Sequence, residues 1–371
     1  MLFFENKVVI FLTKTNWDYY LHPYRTLYAK ELSKSVKKIY WINQPTRNPL
    51  RFISKYFKNK KISQSVIVFT PFMLSCTNEN MSKLNASILR FQFFFLIGKI
   101  NANTILWSVY CSHRNFITHY PSAYKIYWPG DLFDPLAEQN LLKEYNLLMP
   151  LTEKGYEYIK KRYPKRVILS TTGCDENIYS VTRVQTQEYV PFELQFSDNL
   201  KIIGYVGNIS DFRLDFKLII KLLNKFTNLR FVFIGISDKS KATESYLSIL
   251  KRKSNFKLIE NLEYNKIPFY INQFYAGIIP YKLNHFNSGT NPNKFYEYSS
   301  MGKITISSDI PSLRKYHPSI LICNNEQDWI NQLSNCLDWN IDVQKLISIA
   351  TNASPKKSLQ RMSKFILKQI Q

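Results

Sequence analysis

The residues best suited to chemistry lie in the stretch 291-NPNKFYEYSSMGKITISSD-309. Lys294 and Glu297 are three apart, so on a helix they share one face, with Tyr298 beside them. Pro292 suits a first helical turn, and Gly302 allows a left-handed exit into the strand that follows. A helix N-terminus offers unpaired amides, and a Lys in its first turn adds a full positive charge; together they suit a diphosphate. An ionised carboxylate that accepts two hydrogen bonds suits a vicinal diol such as ribose. The same letters also read as ordinary helix-to-strand punctuation with a surface ion pair. The rest of the chain has to decide between the two.

The 371 residues are enough for two domains at roughly 150 residues each. An apolar content of 45% is globular rather than disordered. Apolar runs at 7–13, 37–43, 65–70, 103–110 and 124–130 alternate with helical patterns, as do those at 201–209, 229–236, 256–262, 276–281 and 303–308. Strand-helix alternation of this kind implies parallel βαβ units. The polar, aperiodic stretch 181–199 reads as the interdomain linker. The expected layout is an N-terminal domain over 1–185, a second over 186–354, and a terminal helix, 355–371, packing back on the first. Two open α/β sheets in series place a ligand cleft between them, beyond the carboxyl ends of the strands.

Residues just after strands therefore matter most. GYVGNISD (204–211) is a glycine turn between strand and helix, where Gly207 lets backbone approach a phosphate, or simply makes a tight turn. In the first half, SVYCSHRNF (108–116) and YWPGDLFDP (127–135) follow strands. Asp131 suits a general base, or caps the next helix. His113 is the second base candidate, or a structural histidine. His22 and Arg25 follow the first strand. The five Cys residues show neither CxxC spacing nor a Cys/His ligand pattern, which argues for free thiols and against a structural zinc. The segment MLFFENKVVIFLTK does not read as a signal peptide, because Glu5 and Lys7 interrupt its apolar run.

PNKFYEYSSMGKITISSD resembles the P-x-K-x-x-E-Y-x-A-x-G-x-P-V-V segment of GT-B glycosyltransferases of the group 1 (family 4) type. IIGYVGNISD with DFKLIIKLL resembles the start of their C-terminal domain, and ENLEYNKIPFYINQFYAGIIPY their block of loop, short helix and strand ending in Pro-Tyr. TTGCDENIY resembles the turn before their linker, and NWDYYLHPYRTLYAKELSK the N-terminal portion of bacterial surface-polysaccharide members, the teichuronic-acid type included. The resemblance implies an α/β, GT-B fold: two Rossmann-like doubly wound domains facing a central cleft. It implies that Lys294 contacts the donor diphosphate, Glu297 contacts the ribose hydroxyls, Gly207 and Arg213 lie near the phosphates, and Tyr298 belongs to the same donor site. The base would be held by backbone at Asn261-Leu262 and Ile236-Ser237. The departures are specific: Gly289 stands where the family's first Glu belongs, Met301 where Ala or Cys is usual, and Ile304-Thr305 for Pro-Val.

No DxD motif occurs, so neither a metal nor another cofactor is expected. The net charge of +23 calls for an anionic partner. It concentrates in RFISKYFKNKK (51–61) and KGYEYIKKRYPKR (154–166), interleaved with aromatics, with RFQFFFLIGKI (90–100) between them. That mixture suits an anionic membrane interface, and no RNA-binding signature accompanies it. The expectation is a cytoplasmic enzyme, peripheral at the inner membrane face. It would move a sugar from a nucleotide sugar to a lipid-linked or growing surface glycan. The alternatives are a GT-B sugar-nucleotide epimerase and a basic nucleic-acid-binding protein.

Overall fold

A computed structural model describes residues 2–13, 15–18, 24–50, 60–74, 79–110, 113–130, 141–187, 189–336 and 339–370. Two compact units emerge, Met1–Ser170 with Ser358–Gln371, and Thr171–Lys357.

The first unit is built on β1 (Val8–Leu12), β2 (Lys38–Ile42), β3 (Lys60–Lys61), β4 (Val66–Phe69), β5 (Thr104–Ser108), β6 (Tyr124–Tyr127) and β7 (Leu147–Leu148). Their order is β3-β4-β2-β1-β5-β6-β7, parallel except for the short edge strand β3. Alternate residues feed opposite cores. Val9, Phe11, Ile39, Trp41, Ile105 and Trp107 share one, and Ile10, Leu12, Tyr40, Ile42 and Leu106 share the other. A strand buried on both faces must be apolar at every position, which is why the sequence shows unbroken runs here. Helix Pro355–Ile370 supplies Leu359, Met362 and Ile366 to the first core, and Ser363 Oγ accepts from Phe3 N–H at 3.1 Å.

The second unit carries β8 (Lys201–Val206), β9 (Leu229–Ile234), β10 (Phe256–Ile259), β11 (Ala276–Ile279), β12 (Ile304–Ser308) and β13 (Ile320–Cys323). All pair in parallel in the order β10-β9-β8-β11-β12-β13. The strand order reverses between β8 and β11, which is where such sheets open a crevice for ligands. Helix Phe216–Lys225 shows how local signals build the layer: Asp215 accepts from Leu218 N–H at 3.0 Å as its cap, and Phe216, Ile219, Leu222 and Leu223 are buried.

The stretch expected as linker is structured. It holds helix Val181–Gln185 and a 3-10 turn, Phe192–Leu194, and buries Val184 and Leu194 in the second core. The first boundary therefore lies at 170/171, not at 185/186, and the second at 357/358, not at 354/355. Thr171 Oγ1 donates to Ala353 O at 2.9 Å, Ser300 Oγ donates to Tyr179 O at 2.7 Å, and Cys174 and Tyr179 are core residues of the second unit. Isolated apolar residues in a polar context anchor this segment, so hydrophobic periodicity gives no sign of it. Among the described residues, no helix is long and apolar enough to cross a membrane.

Candidate functional site

The second unit's switch point brings Gly207, Lys294 and Arg213 together. Gly207 leaves the carboxyl end of β8 at φ 143°, and Gly235 leaves β9 at φ 159°. A Cβ on Gly235 would sit 1.8 Å from Gly207 O, so the two turns pack backbone on backbone. Gly207 N–H donates to Ile234 O at 2.8 Å.

Helix Asn293–Ser300 starts after Pro292 and ends at Met301. Gly302 takes the left-handed exit at φ 66°, and Lys303 N–H reaches back to Tyr298 O at 2.9 Å. Lys294, in the first turn, lies directly over Gly207: a Cβ there would be 2.3 Å from Lys294 Nζ. The ammonium also stands 5.4 Å from the Tyr205 ring and 5.8 Å from the Tyr281 ring. Arg213 approaches from the loop after β8, its guanidinium 5.1 Å from the Tyr281 ring and 5.1 Å from the Phe286 ring. Burial alone would raise the Tyr281 phenol, but Lys294 and Arg213 outweigh it and hold the group below its usual 10.0. Tyr281, two residues past β11, is thus bracketed by both cations. Asp211 engages Lys282 at 2.6 Å.

Glu297 follows Lys294 by one turn and is 7% exposed. Burial pushes its carboxyl from 4.5 up to about 7, against the opposing pull of Lys294 and the Tyr179 hydroxyl. Two buried phenols, Tyr179 and Tyr264, face this carboxyl, their rings 5.5 Å apart. Burial also drives the Cys174 thiol well above its ordinary range, with Ser300 and Glu297 as neighbours. The carboxyl is therefore buried among polar side chains.

The other expected site residues fall out as follows. Tyr298 is fully buried; its hydroxyl accepts from Val206 N–H at 2.8 Å and its ring covers Gly277. It holds the end of β8 in place. Asn261 adopts φ 58° just after β10 and is exposed. Ile236 is exposed, whereas Ser237 is buried and donates to Glu244 Oε1 at 2.8 Å.

In the first unit, His113 is nearly buried with Nδ1 3.0 Å from Ser108 Oγ, at the carboxyl end of β5. Arg25 reaches Thr15 Oγ1 at 3.2 Å and the Tyr110 hydroxyl at 3.4 Å. A Cβ on Gly130 would be 3.4 Å from Arg25 Nη2, so the ends of β1, β5 and β6 meet around this guanidinium. Asp131 and His22 lie outside the described residues. Sequence reasoning passed over Tyr281, Tyr179 and Tyr264. The first closes the strand block ending in Pro-Tyr, the second closes the turn TTGCDENIY, and Tyr264 lies in the loop that opens that same block.

No family model matches the chain, and no curated protein matches it. Solved structures do. A glycosyltransferase from Rickettsia africae superposes with a TM-score of 0.69 at 11% identity, over 98% of this chain and 99% of that one. A UDP-forming trehalose-phosphate synthase from Burkholderia xenovorans gives 0.66 at 10% identity, over 98% of each chain. HepE from Anabaena, in complex with UDP and glucose, gives 0.60 at 12% identity, over 98% of each. At such identities the likeness is one of fold, and the fold is GT-B, with two parallel-sheet units in tandem.

Proposed function

We propose that the chain is a glycosyltransferase taking its sugar from a nucleoside diphosphate sugar. The observation that carries this reading is Lys294 seated over Gly207 at the sheet's switch point, with the buried Glu297 one turn behind it. A phosphate at this point meets an ammonium, the Arg213 guanidinium and a helix N-terminus at once. As the glycosidic bond breaks, negative charge grows on the leaving diphosphate, and these three groups are already in place to stabilise it. This is the basis for reading the chemistry as metal-independent. Glu297, once ionised, accepts from the two ribose hydroxyls. The solved structures sharing this fold include a UDP-forming synthase and a UDP complex, which is consistent with such a donor.

The acceptor is read as a lipid-linked or growing surface glycan at the inner membrane face. Support comes from the resemblance of the N-terminal segments to surface-polysaccharide enzymes and from the basic first unit. Asp131 is the proposed base for the acceptor hydroxyl, with His113 as the second candidate.

Thermal unfolding with a panel of UDP-, GDP-, ADP- and dTDP-sugars tests the donor. At a hundredfold excess over its dissociation constant, the right donor adds about 2.7 kcal/mol. Absence of stabilisation by every member overturns the reading, and salt-sensitive RNA retention in its place would assign the charge to nucleic acid. Conversion of the donor to its epimer without any acceptor would make the enzyme an epimerase.

A further inference from the structure

Helix Glu79–Ile97 buries one side and leaves the other exposed. Ala86, Leu89 and Phe93 are buried, with the Phe93 ring 6.2 Å from that of Phe69 and 5.1 Å from that of Phe116. On the outer side Leu84, Phe91 and Phe95 follow at spacings of seven and four, which align them in one stripe, and Phe94 widens it. Phe91 and Phe94 are each 68% exposed and Phe95 is 63% exposed. Their rings touch, Phe91 to Phe95 at 4.9 Å and Phe94 to Phe95 at 5.4 Å. Single exposed apolar side chains are normal on a protein surface; three contiguous phenylalanines at one end of one helix mark a contact.

Charge identifies what covers them. Lys83 and Arg90 run along the Phe94 side of the stripe and Lys99 follows the helix end. The unit formed by Met1–Ser170 and Ser358–Gln371 contains 28 Lys and Arg against 10 Asp and Glu, a net +18 out of the chain's +23. An apolar face on so basic a unit complements a surface that is both anionic and apolar just beneath. The rings meet edge to face, at 67° and 88°, so they use one another's faces and form a wedge rather than a stacking platform for bases.

We propose that Phe91, Phe94 and Phe95 form a membrane-docking face, inserted at the interface of a bilayer whose anionic headgroups engage the surrounding Lys and Arg. This extends the lipid-borne acceptor of the proposed function by naming the surface that brings the chain to it.

Co-sedimentation with vesicles of equimolar phosphatidylglycerol and phosphatidylcholine tests the face, using the full chain and the triple variant Phe91→Ser/Phe94→Ser/Phe95→Ser. Wild type should pellet with these vesicles and keep a fraction bound at high salt. The variant should lose at least tenfold in partition and all of the salt-resistant fraction. Its melting temperature and its stabilisation by nucleotide sugars should be unchanged, since all three side chains are exposed. Equal pelleting of the two proteins, or no pelleting of either, overturns the proposal. Binding of wild type to single-stranded RNA but not to vesicles also overturns it and makes the face a nucleic-acid contact. Loss of vesicle binding in the variant, with nucleotide sugars stabilising neither protein, would sink the proposed donor while leaving the docking face standing.

Discussion

The Lys294 ammonium occupies the space a side chain at position 207 would need, 2.3 Å from where a Cβ would stand. Gly207 is also in the left-handed region at φ 143°, so any replacement there is strained twice. Gly207→Ala should displace Lys294, weaken donor binding at least tenfold and lower the melting temperature. Lys294→Met separates the two effects. It leaves the turn intact and should cost donor affinity roughly 1.5–3 kcal/mol, the range for a hydrogen bond to a charged group. Calorimetric titration with nucleoside, nucleoside monophosphate and nucleoside diphosphate checks this: the loss should appear with the diphosphate and vanish with the nucleoside. An equal loss with all three would move Lys294 away from the phosphates.

Glu297 should make both stability and donor binding pH-dependent, in opposite senses. Its folded value is raised from 4.5 to about 7, so the folded chain holds the proton more tightly than the unfolded one. The contribution to stability is present in full below 4.5 and is lost as pH rises through about 7, an effect on the order of 3 kcal/mol at most. Glu297→Gln should flatten the dependence across this window and be the more stable protein above it. A ribose diol, however, selects the carboxylate. Donor binding should therefore release a proton and tighten as pH rises through 7, visible as a binding enthalpy that follows the buffer's ionisation enthalpy. Identical enthalpies in two buffers near pH 7 would show that the carboxyl stays in one state.

Glu297→Ala asks a simpler question. Removing the acceptor for two hydroxyls in a buried site should weaken donor binding by roughly 1–3 kcal/mol. Calorimetry with the preferred nucleotide sugar and with its 2′-deoxyribose analogue checks it. The variant should no longer distinguish the two, and unchanged affinity in a folded variant would remove Glu297 from the site.

What the sequence revealed follows from how each feature is encoded. Strands buried on both faces need apolar residues throughout, so β1, β5, β8 and β9 stood out as runs. The pairing of Lys294 with Glu297 was legible because helical spacing is local. The two-residue β3 is too short to show a pattern, and its Lys60 and Lys61 are exposed. Segment 171–187 escaped because Cys174, Tyr179 and Val184 are anchored one at a time between polar residues. The role of Tyr281 escaped for a different reason: its partners Lys294 and Arg213 are distant along the chain, and only the reversal of strand order at β8 and β11 brings them to it.

Tyr281 is accordingly a positioning residue. Its phenol sits between the two cations that would otherwise repel each other, and their influence is what lowers its ionisation point. Tyr281→Phe keeps the ring and removes the oxygen. Donor KM should rise severalfold, corresponding to about 1 kcal/mol, while kcat under saturating donor changes little. The melting temperature should stay close to wild type, because the ring continues to fill its place. A large fall in kcat with unchanged KM would instead put the phenol against the reacting atoms.

Acceptor activation gives the last prediction. Gly130, three residues past β6, backs onto Arg25, and Arg25 reaches Tyr110 beyond β5. The carboxyl ends of β1, β5 and β6 thus meet around Arg25, and Asp131 follows Gly130 in the sequence. A base for the acceptor takes one proton from its hydroxyl, a task separate from binding the donor's nucleotide. Asp131→Asn should therefore abolish transfer while leaving stabilisation by the nucleotide sugar at its wild-type value. His113 is the control. It is nearly buried beside the Ser108 hydroxyl, so His113→Asn should lower the melting temperature and leave most turnover per folded molecule. Single-turnover assays with both variants decide between them. Substantial transfer by Asp131→Asn together with its loss in His113→Asn would pass the role of base to the histidine. Transfer by both would point to a retaining reaction in which the departing phosphate takes the proton.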